Sequence, residues 1–150
     1  MPEDRDDLLQ HYRASREKLL AAIDGLTDEQ MSEPSIDGWS VKDHLAHIAL
    51  WDDIRAAEVE RISAGFESAW KMTEQQDDDH NAVGYEIRRS MSPAQARWEL
   101  ENSRRKLLDA IAAAPPEALD TGRYGAAGLR SDHEHDHAGW LQRWRGERRF

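Results

Sequence analysis

The sequence contains no cysteine, which excludes disulfide bonds and thiolate metal sites. Any nucleophilic catalysis must therefore use oxygen or nitrogen atoms, or a thiol that a cosubstrate brings. No apolar run approaches the roughly 20 residues that a membrane-spanning helix needs. The first residues, MPEDRDDLLQ, are acidic where a secretion signal is basic. We therefore expect a cytoplasmic protein that does not act at a membrane.

Positive charge is also scarce, since 20 lysines and arginines stand against 30 aspartates and glutamates, giving a net charge of −10. This balance argues against nucleic acid as a partner, because binding to phosphate backbones depends on cationic side chains. Hydrophobic residues make up only 39% of the chain, yet six residues are tryptophan. Large aromatic side chains are therefore expected to supply much of the buried area. The length predicts a single domain spanning residues 1–150.

Apolar residues recur at helical spacing in four long segments. These segments cover residues 4–24, 40–64, 92–114 and 129–146. Ser40 and Ser92 stand where a hydroxyl can cap the first turn of the second and third segments. No stretch alternates as a β-strand does, so the sequence predicts an all-α, four-helix bundle. Residues 66–90 have weak periodicity. A short helix is one interpretation, but Gly84 and the Asp77–Asp79 run favour a long connection between the second and third long helices, with Asp77–Asp79 and His80 in a solvated loop rather than a metal site.

Residues 131–140, SDHEHDHAGW, place three histidines within five positions. His133 and His137 are four residues apart, so on a helix they share one face and can bind one ion, as in helical zinc motifs. His135 lies about 200° from His133 around a helix of ~3.6 residues per turn, so it should point elsewhere. The same spacing also fits two histidines on a solvated helix face, and the pattern alone leaves both interpretations open.

A third ligand for such an ion would have to come from another helix, because two ligands seldom complete a site. The second long helix offers His44 and His47. His44 continues the apolar stripe of that helix and is expected to be a hydrogen-bonded core histidine, whereas His47 borders the stripe. Facing helices of bundles are common places for metal ligands.

The segment GWSVKDHLAHIALWDDIRAAEVERISAG, residues 38–65, resembles the DinB-like superfamily and, within it, the ClbS/DfsB branch of four-helix-bundle proteins. The resemblance is carried by a Trp-Ser-x-Lys-Asp start, then Leu-Ala-His-Ile and a downstream tryptophan, which is Trp51 here. Asn81-Ala82 and the stretch containing His133, Asp136 and His137 match two further motifs. The sequence departs from the pattern at Glu134, where members usually carry an aromatic residue.

The resemblance implies that His47, His133 and His137 hold a divalent metal ion. Three imidazoles suit zinc or nickel better than magnesium or calcium, which prefer oxygen ligands. Asp43 or Asp136 would orient an imidazole from behind, and Asp43, His44 and Asp136 are the candidate catalytic residues. Trp51 and Trp140 would wall the pocket, although packing in the core is an equal reason for either tryptophan.

For function, the resemblance implies a small metal-dependent hydrolase or a transferase that uses a low-molecular-weight thiol. Such an enzyme would act in detoxification or self-resistance against a reactive small molecule. The first alternative is a non-catalytic bundle that sequesters a small molecule without a functional metal. The second is a structural bundle with vestigial histidines, whose partner would be a second copy of the chain in a homodimer.

Overall fold

The computed structural model describes residues 2–150, which fold into a bundle of helices with a short β-ribbon. Within that range lie six α-helices: α1 (Arg5–Ile23), α2 (Asp28–Ser32), α3 (Val41–Ser63), α4 (Glu74–Arg88), α5 (Pro93–Ala113) and α6 (His133–Arg148). The four long helices of the prediction are α1, α3, α5 and α6, and the all-α, four-helix bundle is confirmed. The most extensive contacts join α3 to α5 and α1 to α6. None of the helices within residues 2–150 is long and apolar enough to cross a membrane.

Helix α3 begins at the predicted position because Ser40 and Asp43 cap each other. The Asp43 amide donates to the Ser40 hydroxyl at 3.4 Å, and the Ser40 amide donates to the Asp43 carboxylate at 2.9 Å. This reciprocal arrangement satisfies two amides that have no partner inside the helix. It fixes the first turn of α3, which carries His44 and leads directly to His47.

Helix α6 begins at His133, four residues later than the periodicity predicted. Leu129 is fully buried, but it reaches the core from a loop rather than from a helix. The preceding Gly128 has a φ of 67°, in the left-handed region that favours glycine. The hydroxyl of Tyr12 donates to the Leu129 carbonyl and holds this loop against α1. The predicted helix was too long because Leu129 is apolar and stands at helical spacing from the residues of α6.

The long connection between α3 and α5 contains α4, so the prediction of a solvated loop at Asp77–Asp79 and His80 is wrong. The helix starts at a capping pair, in which the Gln76 amide donates to the Thr73 hydroxyl at 3.2 Å. Its inner side packs closely, because a Cβ added to Gly84 would lie 2.7 Å from a methyl group of Leu50. Few apolar residues mark this helix, which explains its weak periodicity.

A two-stranded antiparallel ribbon precedes α3, although no strand was predicted. It pairs β1 (Pro34–Ile36) with β2 (Trp39–Ser40). Asp37 and Gly38 form the turn, with φ values of 55° and 83°. Asp-Gly is a preferred pair for two-residue hairpin turns, which need two left-handed residues. The strands are too short to show alternation, and their role is to set Trp39 beside the start of α3.

Tryptophan contributes less to the core than the composition predicted. The two core clusters consist mainly of leucine, isoleucine, valine and alanine side chains. Trp51 and Trp144 are buried, but Trp98 and Trp140 are 63% and 42% exposed. Trp39, Trp140 and Trp144 line a cavity beside the histidines, as described next.

Candidate metal centre

Three histidine side chains from two helices bring their ring nitrogens together. The Nε2 atom of His133 lies 2.9 Å from Nε2 of His47 and 3.0 Å from Nε2 of His137. One ring nitrogen from each of the three histidines lies within 4.8 Å of the other two. Nitrogen ligands of a tetrahedral zinc ion, at about 2.0–2.1 Å from the metal, are about 3.3 Å apart. The three side chains are therefore grouped as ligands of one metal ion are, and a small outward shift would complete the fit.

Burial keeps these three imidazoles uncharged at neutral pH. Removal from water, reinforced by the neighbouring imidazoles and Arg55, lowers the pKa of His47 to about 3. Burial lowers the pKa of His137 to about 2, again reinforced by its histidine neighbours. For His133, burial followed by the charge of Arg55 lowers the pKa to about 4. A metal ligand must be a neutral imidazole with a free lone pair, and all three meet that condition.

A fourth histidine, His44, contacts one of the three candidate ligands. His44 is 3% exposed, and its Nδ1 atom lies 2.8 Å from Nδ1 of His137. If Nε2 of His137 is a ligand, its proton must sit on Nδ1, so His137 donates to His44. Metal-bound histidines commonly donate their second ring N–H in this way, which fixes the ring orientation. Burial lowers the pKa of His44 to about 4, so it is a neutral acceptor.

The two carboxylates proposed to orient an imidazole have other contacts. Asp43 accepts from the Ser40 hydroxyl at 2.8 Å as part of the helix cap, and Asp136 is exposed. Neither forms a hydrogen bond to a histidine within residues 2–150, and His44 occupies the orienting position instead. His135 is exposed and lies 3.1 Å from Lys18 Nζ, on the other side of α6 from the cluster, as its spacing predicted.

Glu134, the departure from the family pattern, belongs to a buried ion network beneath the cluster. Its carboxylate lies 2.6 Å from Nε of Arg16 and also accepts from Arg104. Arg104 in turn donates to Asp52 at 2.9 Å. These four side chains, from α1, α3, α5 and α6, are 8% exposed or less. The network ties the first turn of α6, which carries His133, to the other three long helices.

Sequence reasoning missed this network, although one signal was present. Asp52 and Arg55 continue the inward stripe of α3 beyond Ile48, at three- and four-residue spacing, and both are buried. Charged residues on an inward stripe are almost never fully buried without partners, so they indicate ion pairs in the core. Their partners lie far along the chain and could not be identified from spacing.

A cavity of about 850 Å³ opens beside the cluster. His44, His47 and His137 form part of its wall. The ring of Trp39 lies edge-on to His47, with centroids 5.1 Å apart, and Trp140 lies edge-on to His137 at 4.7 Å. Both tryptophans line the cavity. The site thus combines metal-ligating groups with aromatic walls, in a space of the size that small-molecule ligands occupy.

Trp51 lies one layer behind the cavity rather than in its wall. It is 7% exposed and packs edge-on against Trp70 and His80, with centroid distances of 5.8 and 5.9 Å. Its indole N–H donates to Oδ1 of Asn81 at 2.8 Å, and Asn81 itself lines the cavity. Asn81 was noted in the sequence only as part of a motif, and the structure brings it to the site.

Comparison with known proteins identifies a family and two structural neighbours. The sequence profile of the DinB superfamily matches residues 11–147. No match was found among curated proteins. An uncharacterised protein from Escherichia coli UTI89 has a crystal structure similar to this chain, with a TM-score of 0.83 and 16% identity over 100% of this chain and 97% of the other.

A second crystal structure with the same fold is that of the mycothiol-dependent maleylpyruvate isomerase. Its TM-score is 0.71 at 18% identity, over 93% of this chain and 61% of the isomerase. At such identities the two likenesses concern the fold. They agree with the helical bundle described above.

Proposed function

The chain belongs to the DinB superfamily, and we propose that it is a small metal-dependent enzyme of the ClbS/DfsB type that inactivates a reactive small molecule. The observation that carries this proposal is the convergence of three neutral histidine Nε2 atoms beside a ligand-sized cavity, whose wall includes His47 and His137. His133 Nε2 carries either one proton or one lone pair, so it cannot make a full hydrogen bond to both of the other Nε2 atoms that face it. A shared cation accounts for that arrangement.

Each histidine has a defined part in the proposed site. His47, His133 and His137 would hold a zinc or nickel ion, and His44 would keep the His137 ring in its ligating orientation. Such an ion, when bound, supplies Lewis-acid chemistry. The histidines keep their lone pairs available because burial holds them unprotonated. Trp39 and Trp140 would exclude water from one side of the ligand and hold its apolar part.

The reaction we propose is either hydrolysis of an electrophile or its capture by a low-molecular-weight thiol. The chain has no cysteine, so the thiol would enter as a cosubstrate. The mycothiol dependence of one protein with this fold supports the thiol branch. The partner is then a small molecule, and the charge of −10 disfavours nucleic acid in that role.

Product analysis with a model electrophile tests catalysis and separates the two reactions. Zinc-loaded and nickel-loaded protein would be incubated with styrene oxide, with and without glutathione, beside the His47→Ala/His133→Ala variant. A diol formed faster than with the variant indicates hydrolysis, and a thioether indicates thiol transfer. If neither product exceeds the amount formed with the variant, this electrophile is not a substrate.

A sequestering protein is the second candidate, and the aromatic walls of the cavity favour it. Such a protein would bind an apolar compound between Trp39 and Trp140 without converting it. Binding that is unaffected by the His47→Ala/His133→Ala substitutions, together with no product from several electrophiles, would support this candidate over the enzyme. Binding that requires the histidines would support the metal-dependent site.

A further inference from the structure

The contact between Trp51 and Asn81 determines which way the Asn81 amide faces. The indole nitrogen of Trp51 is 2.8 Å from Oδ1 of Asn81. An indole N–H can only donate, so the atom it meets must be the amide oxygen. Trp51 is 7% exposed and packs against both Trp70 and His80, so its position is fixed. The amide nitrogen of Asn81 is therefore directed away from Trp51.

That amide nitrogen carries two N–H donors, and neither has a partner within the described part of the chain. Within residues 2–150 the only side-chain hydrogen bond of Asn81 is the one that its oxygen accepts from Trp51. Asn81 is half-buried, and it lines the same cavity as His47 and His137. Its amide nitrogen is not among the buried polar atoms that lack a partner, so it is accessible to solvent. The site thus contains an oriented donor beside the candidate metal ligands.

The charged residues of the cavity indicate whether the acceptor for this donor is a carboxylate or a neutral oxygen. The lining includes three carboxylates, from Asp37, Asp78 and Glu147, and one guanidinium, from Arg143. Asp78 is three residues before Asn81 on α4, so the two side chains share one face of that helix. The carboxylate of Asp78 therefore repels a second carboxylate at the Asn81 amide, whereas the charge of a bound metal ion would lie at the histidines. A neutral carbonyl oxygen fits the amide without that repulsion.

We infer that Asn81 is a specificity-determining residue, whose amide donates a hydrogen bond to the carbonyl oxygen of a neutral ligand, and that Trp51 is its positioning residue. The inference rests on the proposed function, since it requires the cavity to bind a small molecule. A site built to pair such a donor discriminates against a ligand without the oxygen, because the amide then loses its water without gaining a partner.

Two probes of equal shape test the inference directly. 2-Acetylnaphthalene carries a planar ketone, and 2-isopropenylnaphthalene has a CH₂ group in place of the ketone oxygen. Both titrations follow tryptophan fluorescence, and the measured quantity is the ratio of the two dissociation constants. We expect the ketone to bind about five- to tenfold more tightly to the wild-type protein, as for the loss of one neutral hydrogen bond.

Variants identify the donor. Asn81→Asp keeps an oxygen for the Trp51 indole but removes the amide donors, and Asn81→Leu removes both groups. In each variant the affinity ratio should fall to about one, because the hydrogen bond to the ketone is lost. Trp51→Phe should lower the ratio partway, because the amide is then free to rotate. Asn102→Asp is the matched control, since Asn102 is on α5 and its oxygen accepts from the exposed Arg105 at 2.6 Å. That variant should keep the wild-type ratio.

Nuclear magnetic resonance distinguishes a direct hydrogen bond from Asn81 to the ligand from an indirect structural effect of Asn81 on the cavity. The side-chain NH₂ signals of Asn81 should shift with the ketone and not with the alkene, while those of Asn102 stay in place. A wild-type ratio near one, or a high ratio that persists in both Asn81 variants, would overturn the inference while leaving the cavity as a binding site. If neither probe binds the wild-type protein, the proposed small-molecule site fails together with the inference.

Discussion

His44 lies with its Nδ1 atom 2.8 Å from Nδ1 of His137, so a buried imidazole from α3 orients a candidate metal ligand on α6. The two residues are 93 positions apart in the chain. The contact links the helix that carries His47 to the helix that carries the other two candidate ligands. It also assigns the orienting role to an imidazole rather than to a carboxylate.

Replacing His44 should weaken metal binding without abolishing it. His44→Leu removes the acceptor for the His137 ring, and loss of such a partner commonly costs about 10- to 100-fold in metal affinity. His44→Asn should recover part of the loss, because its amide oxygen can take the place of Nδ1. Competition with a chromophoric chelator measures the affinity. Equal affinities for the wild-type and His44→Leu proteins would contradict this role.

The metal-free protein should lose stability as the pH falls from 7 to 5. The pKa values of His47 and His133 are lowered from 6.5 to about 3 and about 4 in the folded state. The unfolded chain therefore binds protons below pH 6.5 that the folded chain does not, and the free energy of unfolding falls as the pH decreases through this window. The slope is about 1.4 kcal/mol per pH unit for each such histidine.

Urea denaturation at pH 7 and pH 5 measures this dependence. His133→Gln should reduce the difference between the two pH values, because one of the histidines that cause it is gone. The same substitution at His135, which is exposed on the other side of α6, should leave the difference intact. Equal stability of the wild-type protein at the two pH values would show that the histidines are not buried as neutral groups.

The ion network beneath the cluster predicts a large difference between two glutamates that both contact Arg16. The Glu134 side chain is 5% exposed and pairs with Arg16 and Arg104, whereas the Glu101 side chain is 67% exposed and lies 3.5 Å from Arg16. Glu134→Gln leaves Asp52 as the one buried counter-charge for Arg16 and Arg104, and should lower the free energy of unfolding by about 3–5 kcal/mol. Glu101→Gln should change it by less than about 1 kcal/mol. Similar values for the two variants, measured by urea denaturation, would contradict the network.

Two glycines provide a further contrast in stability. A Cβ at Gly125 would lie 2.2 Å from the backbone oxygen of Trp70, whereas a Cβ at Gly146 on α6 meets nothing within 4 Å. Gly125→Ala should therefore force the loops around Trp70 apart and lower the thermal midpoint of unfolding. Gly146→Ala should raise stability by about 0.5–1 kcal/mol, because alanine is favoured inside a helix. A neutral effect of Gly125→Ala in calorimetry would be inconsistent with this packing.

Much of the architecture could be predicted because it is encoded locally. The start of α3 follows from a serine and an aspartate three residues apart, and the shared face of His133 and His137 follows from their four-residue spacing. His47 could be chosen over other histidines only through the family resemblance. Helix α4 was not preferred over a loop because its inner side contains Gly84 and polar residues instead of an apolar stripe.

The interactions that build the site are mostly between distant parts of the chain. Glu134 pairs with Arg16, 118 residues away, and with Arg104, 30 residues away. Periodicity places each residue on a face of its own helix, but it does not state which residue of another helix lies opposite. The roles of His44 and Asn81 depend on such opposed pairs, and they became visible only when the helices were packed together.

The metal content of the protein tests the central claim most directly. Untagged protein, its His47→Ala/His133→Ala variant and a His135→Ala control would be incubated with zinc or nickel, freed of excess ion by gel filtration and analysed for metal. The three-histidine site predicts about one ion per chain in the wild-type and His135→Ala proteins and almost none in the double variant. A double variant that keeps the wild-type metal content, or a wild-type protein that retains neither ion, would contradict the account.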